Sequence, residues 1–342
     1  MPDHARVNSE GVCVEFRPIE RAHDAFQQSV TAESIEAMCR RAFGSSVRVS
    51  SAVELGNGMY NNTYRVDISE DRPVILRVAP EPARQYRIER GLMRNEYASA
   101  PYLAPIAPMI PRTLAADFTH DIIGRDYLFQ TMLDGVSGPE GIGQYPRPAW
   151  TSFFRQMGTI ARSIHSVRGE QFGPVTGPGF GTWGEAVTAF FADLVADLDD
   201  ASLDSVDVQE VIAAADKHQA VLNEVTEPRL LHGDLWTVNV MMASDAPEPT
   251  ITGVFDNDRT SWGDPESDWP IFMAAKKPGT ERDAFWETYG PRPSTAAAAR
   301  RSLFYLAKHI GAIRLERHRL GNADAVPETY GQMRDVLDQL QA

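Results

Sequence analysis

The spacing of hydrophobic positions changes along the chain and divides the sequence into two parts. Up to about residue 134, apolar residues alternate with polar ones or form short continuous runs, as they do in strands. These runs are SVRVSSAVEL, NTYRVDI, PVILRVA, TLAAD and DYLFQTML. From about residue 148, apolar residues recur at helical spacing over long segments. The pattern predicts an α+β fold with a small antiparallel-sheet lobe followed by a large, mainly helical lobe.

Three domain segments follow from this pattern. Residues 1–28 are polar and irregular and are predicted to form an N-terminal extension. Residues 29–134 are predicted to form the sheet-rich lobe, including a first helix capped by Thr31 and ended by Gly44. A second helix is expected from about Tyr86 to Leu103. Residues 135–342 are predicted to form the helical lobe, interrupted by a short strand–loop–strand segment at 230–258.

Composition limits the class of protein and of partner. The formal net charge is −14 and the calculated isoelectric point is about 5.0, which disfavours a nucleic-acid-binding protein because such proteins need patches of Lys and Arg. An acidic protein is compatible with a cationic small substrate. With two cysteines, no secretory signal and no apolar run of membrane-spanning length, the sequence predicts a cytoplasmic protein without membrane partners.

The segment LLHGDLWTVNVMM, residues 230–242, places polar groups within a hydrophobic stretch. His232, Asp234 and Asn239 would be costly to bury without partners. One interpretation is a buried turn between two strands, and the other is a catalytic loop. Asp256 follows the next apolar strand. The sequence therefore offers an aspartate (Asp234), an amide five residues later (Asn239) and a second carboxylate (Asp256). That set serves phosphoryl transfer, because hard cations such as Mg²⁺ prefer oxygen ligands and a carboxylate can orient a hydroxyl.

HGDLWTVN and, further along, FDNDRTSWGDPESDW resemble the motifs of the aminoglycoside phosphotransferase and choline kinase superfamily. The resemblance covers roughly residues 32–300 and implies a bilobal, protein-kinase-like fold. It also implies a Mg²⁺-dependent transfer of the γ-phosphoryl group from ATP, or GTP, to a hydroxyl of a small molecule.

The resemblance also implies a role for each motif residue. Asp234 would be the catalytic base and His232 would support the loop that carries it. Asn239 and Asp256 would hold the metal. Asp264 and Asp268 would brace the loops around the site; these two aspartates lie in the second motif.

The sheet-rich lobe is expected to bind the nucleotide. Gly56 and Gly58 lie in a turn between two strands, where backbone N–H groups can cover phosphates, although an ordinary hairpin turn would use the same residues. The adenine is expected to contact backbone groups of the connection between the lobes, near Gln130 and Met132.

Arg77 occupies the position that resembles the kinase strand lysine, and Glu96 is its expected partner, with Glu89 as the alternative. Arginine keeps the positive charge but is longer and planar, so the replacement is not neutral. Two interpretations follow: an active enzyme adapted to arginine, or a catalytically silent nucleotide-binding pseudokinase. The complete set of base and metal ligands favours activity.

The acceptor is expected to be an antibiotic or a related natural product. The alternative is a metabolite kinase of the choline, homoserine, methylthioribose or sugar-amine type. A protein kinase is disfavoured because no A-P-E segment follows Asp256 and the D-F-G motif is absent.

Three other features have an ordinary structural explanation and a functional alternative. Residues 193–210 contain seven acids and no basic residue, which fits a solvated face or an acidic wall facing a cationic substrate. Asp258 and Arg259 could contact substrate, although an internal salt bridge is the simpler expectation. The histidines show no metal-ligand spacing with each other or with cysteine, so no zinc site is predicted; those considered are His165, His218, His309 and His318.

Overall fold

The computed structural model describes residues 5–7, 13–56, 58–69 and 73–342. The chain divides into two compact units. The first comprises Met1–Gln85 and Ile110–Leu133, and the second comprises Tyr86–Met109 and Asp134–Ala342. None of the helices in the described ranges combines the length and apolar character needed to cross a membrane.

The first unit is built on a seven-stranded sheet with the order β1-β2-β3-β4-β5-β7-β6. All neighbouring strands are antiparallel except β2 and β3, which are parallel. The strands are β1 (Ala5–Val7), β2 (Cys13–Arg17), β3 (Val49–Leu55), β4 (Asn62–Ile68), β5 (Val74–Val78), β6 (Thr113–Asp117) and β7 (Tyr127–Thr131). The five strands expected from the hydrophobic pattern are β3 to β7, and all five are confirmed.

The N-terminal segment differs from its prediction as an irregular extension. Residues 5–7 and 13–17 are strands, and β2 continues the sheet beside β3. The reason is hydrophobic: the Phe16 side chain is buried in the core of the first unit. Residues 1–4 and 8–12, which belong to the same predicted segment, lie outside the described residues, as do Asn57 and the predicted turn residues 70–72.

The helix α1 (Ala32–Phe43) closes one face of this sheet. The Thr31 side chain accepts a hydrogen bond from Ser34 N, and Gly44 ends the helix with a φ of 102°, so both predicted caps are confirmed. Ile35 and Met38 are fully buried against the sheet. Their burial supplies the apolar contact that a three-turn helix needs for stability.

The second unit is mainly helical. Its helices are α2 (Leu92–Ser99), α3 (Gly138–Gly143), α4 (Trp150–His165), α5 (Trp183–Asp200), α6 (Val206–Lys217), α7 (Gln219–Leu222), α8 (Trp269–Ala275), α9 (Ala284–Tyr289), α10 (Ala296–Arg319) and α11 (Val326–Gln341). Its strands are β8 (Val136–Ser137), β9 (Gly173–Pro174), β10 (Arg229–Leu231), β11 (Val240–Met242), β12 (Ile251–Val254) and β13 (Ser261–Gly263). They form two three-stranded antiparallel sheets, β10-β13-β9 and β12-β11-β8. The segment predicted as one strand–loop–strand unit therefore contributes to two sheets.

Residues 86–109 belong to the second unit, whereas the sequence placed them in the sheet-rich lobe. The buried Asp197 carboxylate of α5 accepts hydrogen bonds from Arg87 N at 2.8 Å and Ile88 N at 3.1 Å. These bonds fix the start of the segment on the helical unit. The predicted helix from 86 to 103 is also shorter, because Gly91 adopts a left-handed conformation with φ of 73° and α2 begins after it.

The acidic stretch at 193–210 is largely occupied by structural contacts. Its acids Asp197, Asp200, Asp207 and Glu210 form ion pairs with arginines of the second unit. One of these pairs joins Asp207 to the fully buried Arg314, whose Nη1 and Nη2 donate to the two carboxylate oxygens at 2.9 and 2.6 Å. A two-bond guanidinium–carboxylate pair that is buried joins α6 to α10.

Replacing Asp207 with Asn should destabilise the second unit, because the buried Arg314 charge would lose its counter-ion without any change in volume. We expect a loss of about 3 kcal/mol in the free energy of unfolding. Urea unfolding followed by circular dichroism would measure it. The exposed pair between Glu210 and Arg334 supplies the control, since Glu210→Gln should change stability by less than about 1 kcal/mol. Equal effects of the two substitutions would contradict this account of the buried pair.

Candidate active site

The loop from His232 to Asn239 connects β10 to β11. The turn requires a glycine at its second position: Gly233 has a φ of 86°, and a Cβ there would lie 2.4 Å from the carbonyl oxygen of Arg259. The close approach of Arg259 ties this loop to the segment that follows Asp256. The two motifs recognised in the sequence are therefore adjacent in the structure.

The Asp268 carboxylate holds this loop from behind. It is buried, and its oxygens accept hydrogen bonds from His232 N and Gly233 N, each at 2.8 Å. It also accepts from Trp269 N at 2.8 Å and from His165 Nε2 at 2.9 Å. Although burial opposes ionisation, the His165 hydrogen bond and the nearby imidazoles hold the pKa of Asp268 below its usual range. An ionised, four-bonded carboxylate thus sets the backbone conformation that presents Asp234.

Asn239 positions the Asp234 side chain. The Asn239 Nδ2 donates to the Asp234 main-chain oxygen and to Asp234 Oδ2, both at 2.8 Å. Because the amide nitrogen is used in this way, the Asn239 Oδ1 is the atom that it can offer to a cation. Phe255 N donates to the main-chain oxygen of Asn239 at 3.1 Å, which brings the end of β12 and hence Asp256 beside the loop.

Asp256 lies directly beyond β12 in a left-handed conformation with a φ of 62°. For a residue other than glycine this conformation is strained, and such strain concentrates at functional sites. One carboxylate oxygen each from Glu96, Asp256 and Asp258 lies within 4.8 Å of the others. Three converging carboxylates suit a hard divalent cation with oxygen ligands, so the residues fit a Mg²⁺ ion.

Two members of this cluster had other expected roles. Glu96 was expected to pair with Arg77, and Asp258 was expected in a salt bridge. Their convergence depends on Asn95, whose Nδ2 donates to the main-chain oxygens of Asp258 at 2.8 Å and Thr260 at 2.7 Å. The contact spans more than 160 residues, so no local pattern indicated it. The only local signal was the second aspartate, two residues after Asp256.

Glu89, the alternative partner for Arg77, is engaged within the second unit. Its carboxylate accepts from Arg319 Nη1 at 2.5 Å and lies 3.7 Å from Arg259 Nη2. Arg77 itself lies on β5, buried, in register with Thr63 of β4 and Leu128 of β7. The pairing of Arg77 with Glu96 stays a prediction.

The other nucleotide-binding residues predicted from sequence lie in the first unit. Gly56 and Gly58 are in the connection from β3 to β4, as expected. Gln130 is buried on β7, and Met132, just after this strand, is about 43% exposed. The sequence did not indicate a hydrogen-bond network near the end of β3, just before this connection. There the buried Glu54 carboxylate accepts hydrogen bonds from several donors, and these bonds fix the end of β3. These donors are Ile19 N, Arg21 Nη1, Ser29 Oγ and Asn62 Nδ2.

Asp264 was expected to brace the site, and its contacts agree with that role. Its carboxylate accepts from Tyr305 Oη at 2.5 Å and Arg301 Nε at 3.2 Å, both on α10. It also accepts from Glu266 N, and so caps the turn before α8. Asp264 therefore links the active-site segment to the long helix α10.

Burial dominates the ionisation of the loop residues. It raises the pKa of Asp234 to about 7; the charge of Asp256 also raises this pKa, while Arg259 and the Asn239 hydrogen bond oppose the shift. Burial lowers the pKa of His232, which is fully buried, so this imidazole is held neutral. His232 Nδ1 accepts a hydrogen bond from Asp234 N at 3.4 Å, and the supporting role of His232 stays a prediction. A carboxyl that ionises near neutral pH is suited to receive a proton from a hydroxyl.

The fold and the site together define a phosphotransferase with a protein-kinase-like architecture. The model of the phosphotransferase enzyme family known as APH matches residues 51–304, and the chain belongs to this family. Among curated proteins, no match was found.

Solved structures share the fold at low sequence identity. The GDP complex of wild-type aminoglycoside 2'-phosphotransferase-IIIa is 16% identical with a TM-score of 0.61, covering 91% of this chain and 99% of that chain. A thermostable mutant of aminoglycoside phosphotransferase APH(4)-Ia, in ternary complex with AMP-PNP and hygromycin B, is 19% identical with a TM-score of 0.61, covering 90% and 98%. A putative aminoglycoside phosphotransferase from Ralstonia eutropha is 14% identical with a TM-score of 0.59, covering 90% and 98%. These structures confirm the predicted bilobal α+β fold class.

Replacing Asp268 with Asn should destabilise the protein strongly. The new side-chain amide would turn an N–H group towards a backbone N–H that now donates to an Asp268 carboxylate oxygen. Both of these buried donors would then lack an acceptor. We expect a loss of about 3 kcal/mol in the free energy of unfolding, measured by urea denaturation. Glu287→Gln, which removes an exposed partner of Arg155, is the control and should cost less than about 1 kcal/mol. An Asp268→Asn protein as stable as this control would show that the carboxylate does not hold the loop.

Replacing Asp234 with Asn should stabilise the metal-free protein, and more so at pH 8.5 than at pH 5. The folded state keeps the Asp234 proton up to a pKa of about 7, whereas the usual pKa is 3.8, so stability falls as pH rises between these values. The variant does not lose this stability. We expect its advantage to grow by on the order of 1–2 kcal/mol between pH 5 and 8.5, after allowance for solvent screening. Urea unfolding at both pH values measures this stability advantage, with the exposed Asp216→Asn as the control. An advantage of Asp234→Asn that does not change with pH would contradict the raised pKa of Asp234.

Proposed function

We propose that the protein is a small-molecule kinase that transfers the γ-phosphoryl group of ATP or GTP to a hydroxyl of an antibiotic or related natural product. The observation that carries the proposal is the hydrogen-bonded pair of Asp234 and Asn239 beside the carboxylates of Asp256, Asp258 and Glu96. This is the set of groups that phosphoryl transfer needs: a hydroxyl-orienting base next to oxygen ligands for a metal–nucleotide complex.

Each residue has a distinct task in this proposal. Asp234 orients the acceptor hydroxyl and receives its proton as the oxygen bonds to the γ-phosphorus and the bond from phosphorus to the bridging oxygen of the nucleoside diphosphate breaks. Asn239 holds the Asp234 carboxylate in place. Asp268 and His232 keep the loop in the conformation that allows both contacts. Positioning and charge neutralisation supply most of the rate enhancement in such reactions.

Asn239 Oδ1 and the Asp256 carboxylate are the proposed ligands of a Mg²⁺ ion, with Asp258 and Glu96 close enough to complete the site. When bound, the ion neutralises charge on the nucleotide phosphates. In the first unit, Arg77 would steady the phosphates, the Gly56–Gly58 turn would cover them, and the segment from Gln130 to Met132 would contact the base.

The comparisons support a nucleotide donor and a small acceptor. Several of the solved structures that share the fold are complexes with GDP, ADP or AMP-PNP, and two of the acceptors named with them are hygromycin B and kanamycin. A catalytically silent nucleotide-binding module is the alternative function, since arginine replaces the strand lysine at position 77. The intact arrangement around Asp234 favours turnover.

The proposal predicts phosphoryl transfer that depends on Asp234. A panel of hydroxylated antibiotics and metabolites, incubated with the protein, Mg²⁺ and ATP or GTP, should yield one acceptor class that gains a phosphoryl group by mass spectrometry. Asp234→Asn should reduce the initial rate by at least about 100-fold while nucleotide affinity stays within about threefold, because the base acts on the acceptor.

Asp216→Asn on the exposed face of α6 is the matched control and should react like the unmodified protein. If nucleotide binds tightly and no acceptor in the panel gains mass, the silent module becomes the better description. If the Asp234→Asn protein transfers phosphate at the normal rate, the assignment of Asp234 is wrong.

A further inference from the structure

Residues 18–30, between β2 and α1, contain no helix or strand, and neither the hydrophobic pattern nor the proposed function accounts for them. We call this segment the N-terminal strap. Arginine side chains hold it in place: Arg84 Nη1 donates to the main-chain oxygen of Ala25 at 2.6 Å, and Arg125 Nη1 donates to that of Gln28 at 3.0 Å. Both arginines belong to the first unit, so the strap is attached to the unit that contains the seven-stranded sheet.

The strap contacts the connection from β3 to β4, which is the turn proposed to cover the nucleotide phosphates. Gln27 Nε2 donates to the main-chain oxygens of Gly58 at 3.1 Å and of Asn61 at 2.9 Å. The centroid of the Phe26 ring lies 5.6 Å from that of the Tyr60 ring. One side chain of the strap therefore bridges two peptide groups of the turn, and the neighbouring ring packs on a residue between them.

The strap also fixes the point where this turn begins. The buried Glu54 carboxylate, near the end of β3, accepts hydrogen bonds from Ile19 N at 2.9 Å and Ser29 Oγ at 2.7 Å, and it pairs with Arg21 at 2.7 Å. The Ile19 side chain lies against Gly56, since a Cβ on this glycine would be 3.0 Å from Ile19 Cδ1. Contacts with the strap thus act on both ends of the turn.

The bonds to Gln27 determine which way the peptide groups of the turn face. The described residues contain no cis peptide bond, and in a trans peptide the N–H group lies opposite the carbonyl oxygen. Because the Gly58 oxygen faces the strap, the N–H group of Met59 is directed away from it. Anions bind to backbone N–H groups. A turn whose carbonyl oxygens are engaged by the strap is therefore oriented to present N–H groups to phosphates.

Holding the turn in advance also lowers the cost of binding. Glycine residues give a connection more conformational freedom than other residues do, and a ligand that immobilises the connection has to offset the entropy that is lost. A turn that the protein already holds loses less freedom when the ligand binds.

We propose that the N-terminal strap positions the phosphate-covering turn, with Gln27 as a positioning residue for the nucleotide phosphates. This inference rests on the proposed function, in which the first unit binds the nucleotide. Gln27 acts through Gly58 and Asn61 and not by contact with the nucleotide. Its effect is confined to the phosphates, because the base is proposed to contact the segment from Gln130 to Met132.

The test compares ligands that carry phosphates with ligands that lack them. Gln27→Met keeps the length of the side chain and removes its two donated hydrogen bonds. The dissociation constants of ADP and GDP with Mg²⁺, and of adenosine and guanosine, are measured by ligand-observed NMR. For the diphosphate that the unmodified protein binds more tightly, we expect the dissociation constant to rise at least about fivefold in Gln27→Met. Binding of the matching nucleoside should stay within about twofold.

A matched control removes a glutamine amide elsewhere. Gln339 is exposed on α11, and its Nε2 donates to the main-chain oxygen of Asp335 at 2.9 Å. Gln339→Met should bind the diphosphate and the nucleoside as the unmodified protein does.

Hydrogen exchange of the nucleotide-free protein provides a second measurement, which does not depend on ligand binding. In Gln27→Met the amides of residues 58–61 should exchange faster, while those of β5 and β7 keep the rates of the unmodified protein. Faster exchange throughout the first unit would show that Gln27 only stabilises the unit, and would overturn the proposal.

The binding measurements separate a failure of this inference from a failure of the proposed function. Equal affinity of Gln27→Met and the unmodified protein for the diphosphate would overturn the positioning role and leave nucleotide binding intact. An equal loss for the diphosphate and the nucleoside would also overturn it, because the effect would not be confined to the phosphates. If the unmodified protein binds neither ADP nor GDP, the proposed function is wrong and the role of Gln27 falls with it.

Discussion

The arrangement of the active site depends on one buried carboxylate. Asp268 accepts hydrogen bonds from two consecutive N–H groups of the catalytic loop, and a third from the first residue of α8. The fourth, from His165, ties the loop to α4, and the other ring nitrogen of His165 lies 2.9 Å from Tyr289 Oη on α9. Because an ionised carboxylate can only accept, His165 Nε2 must donate. One anion thereby fixes a loop that has little regular structure of its own.

A second constraint acts at the metal side of the site and comes from amides. Asn95 on α2 holds the main-chain oxygens of Asp258 and Thr260, and Asn257 Nδ2 donates to Ser99 Oγ at 2.9 Å, again on α2. These bonds bring Glu96 next to Asp256 and Asp258. Three carboxylates in such proximity repel one another, so the hydrogen bonds maintain an arrangement that a bound cation would relieve. The strained conformation of Asp256 belongs to the same arrangement.

The sequence predicted the parts that are local and missed those that depend on distant contacts. His232, Asp234 and Asn239 lie within eight residues, and the strands and helices around them follow from hydrophobic spacing. The sequence placed residues 86–109 in the sheet-rich lobe, and this was wrong. Their place in the second unit depends on contacts with Asp197, about 110 residues away. The strand at 13–17 is short and pairs in parallel with β3, so its alternation is too brief to distinguish it from an irregular segment. The convergence of Glu96 with Asp258 is likewise a tertiary contact.

The proposed base and a pair of indole rings lie in a short stretch of this chain and next to its anchor. Asp234 and Asn239 flank Trp236, so the loop that Asp268 immobilises presents a reacting carboxylate and an aromatic ring together. Trp269 follows Asp268 directly, so the same anchor also positions the indole ring that meets Trp236 edge to face. A change that altered the rings by moving the loop would disturb the base as well.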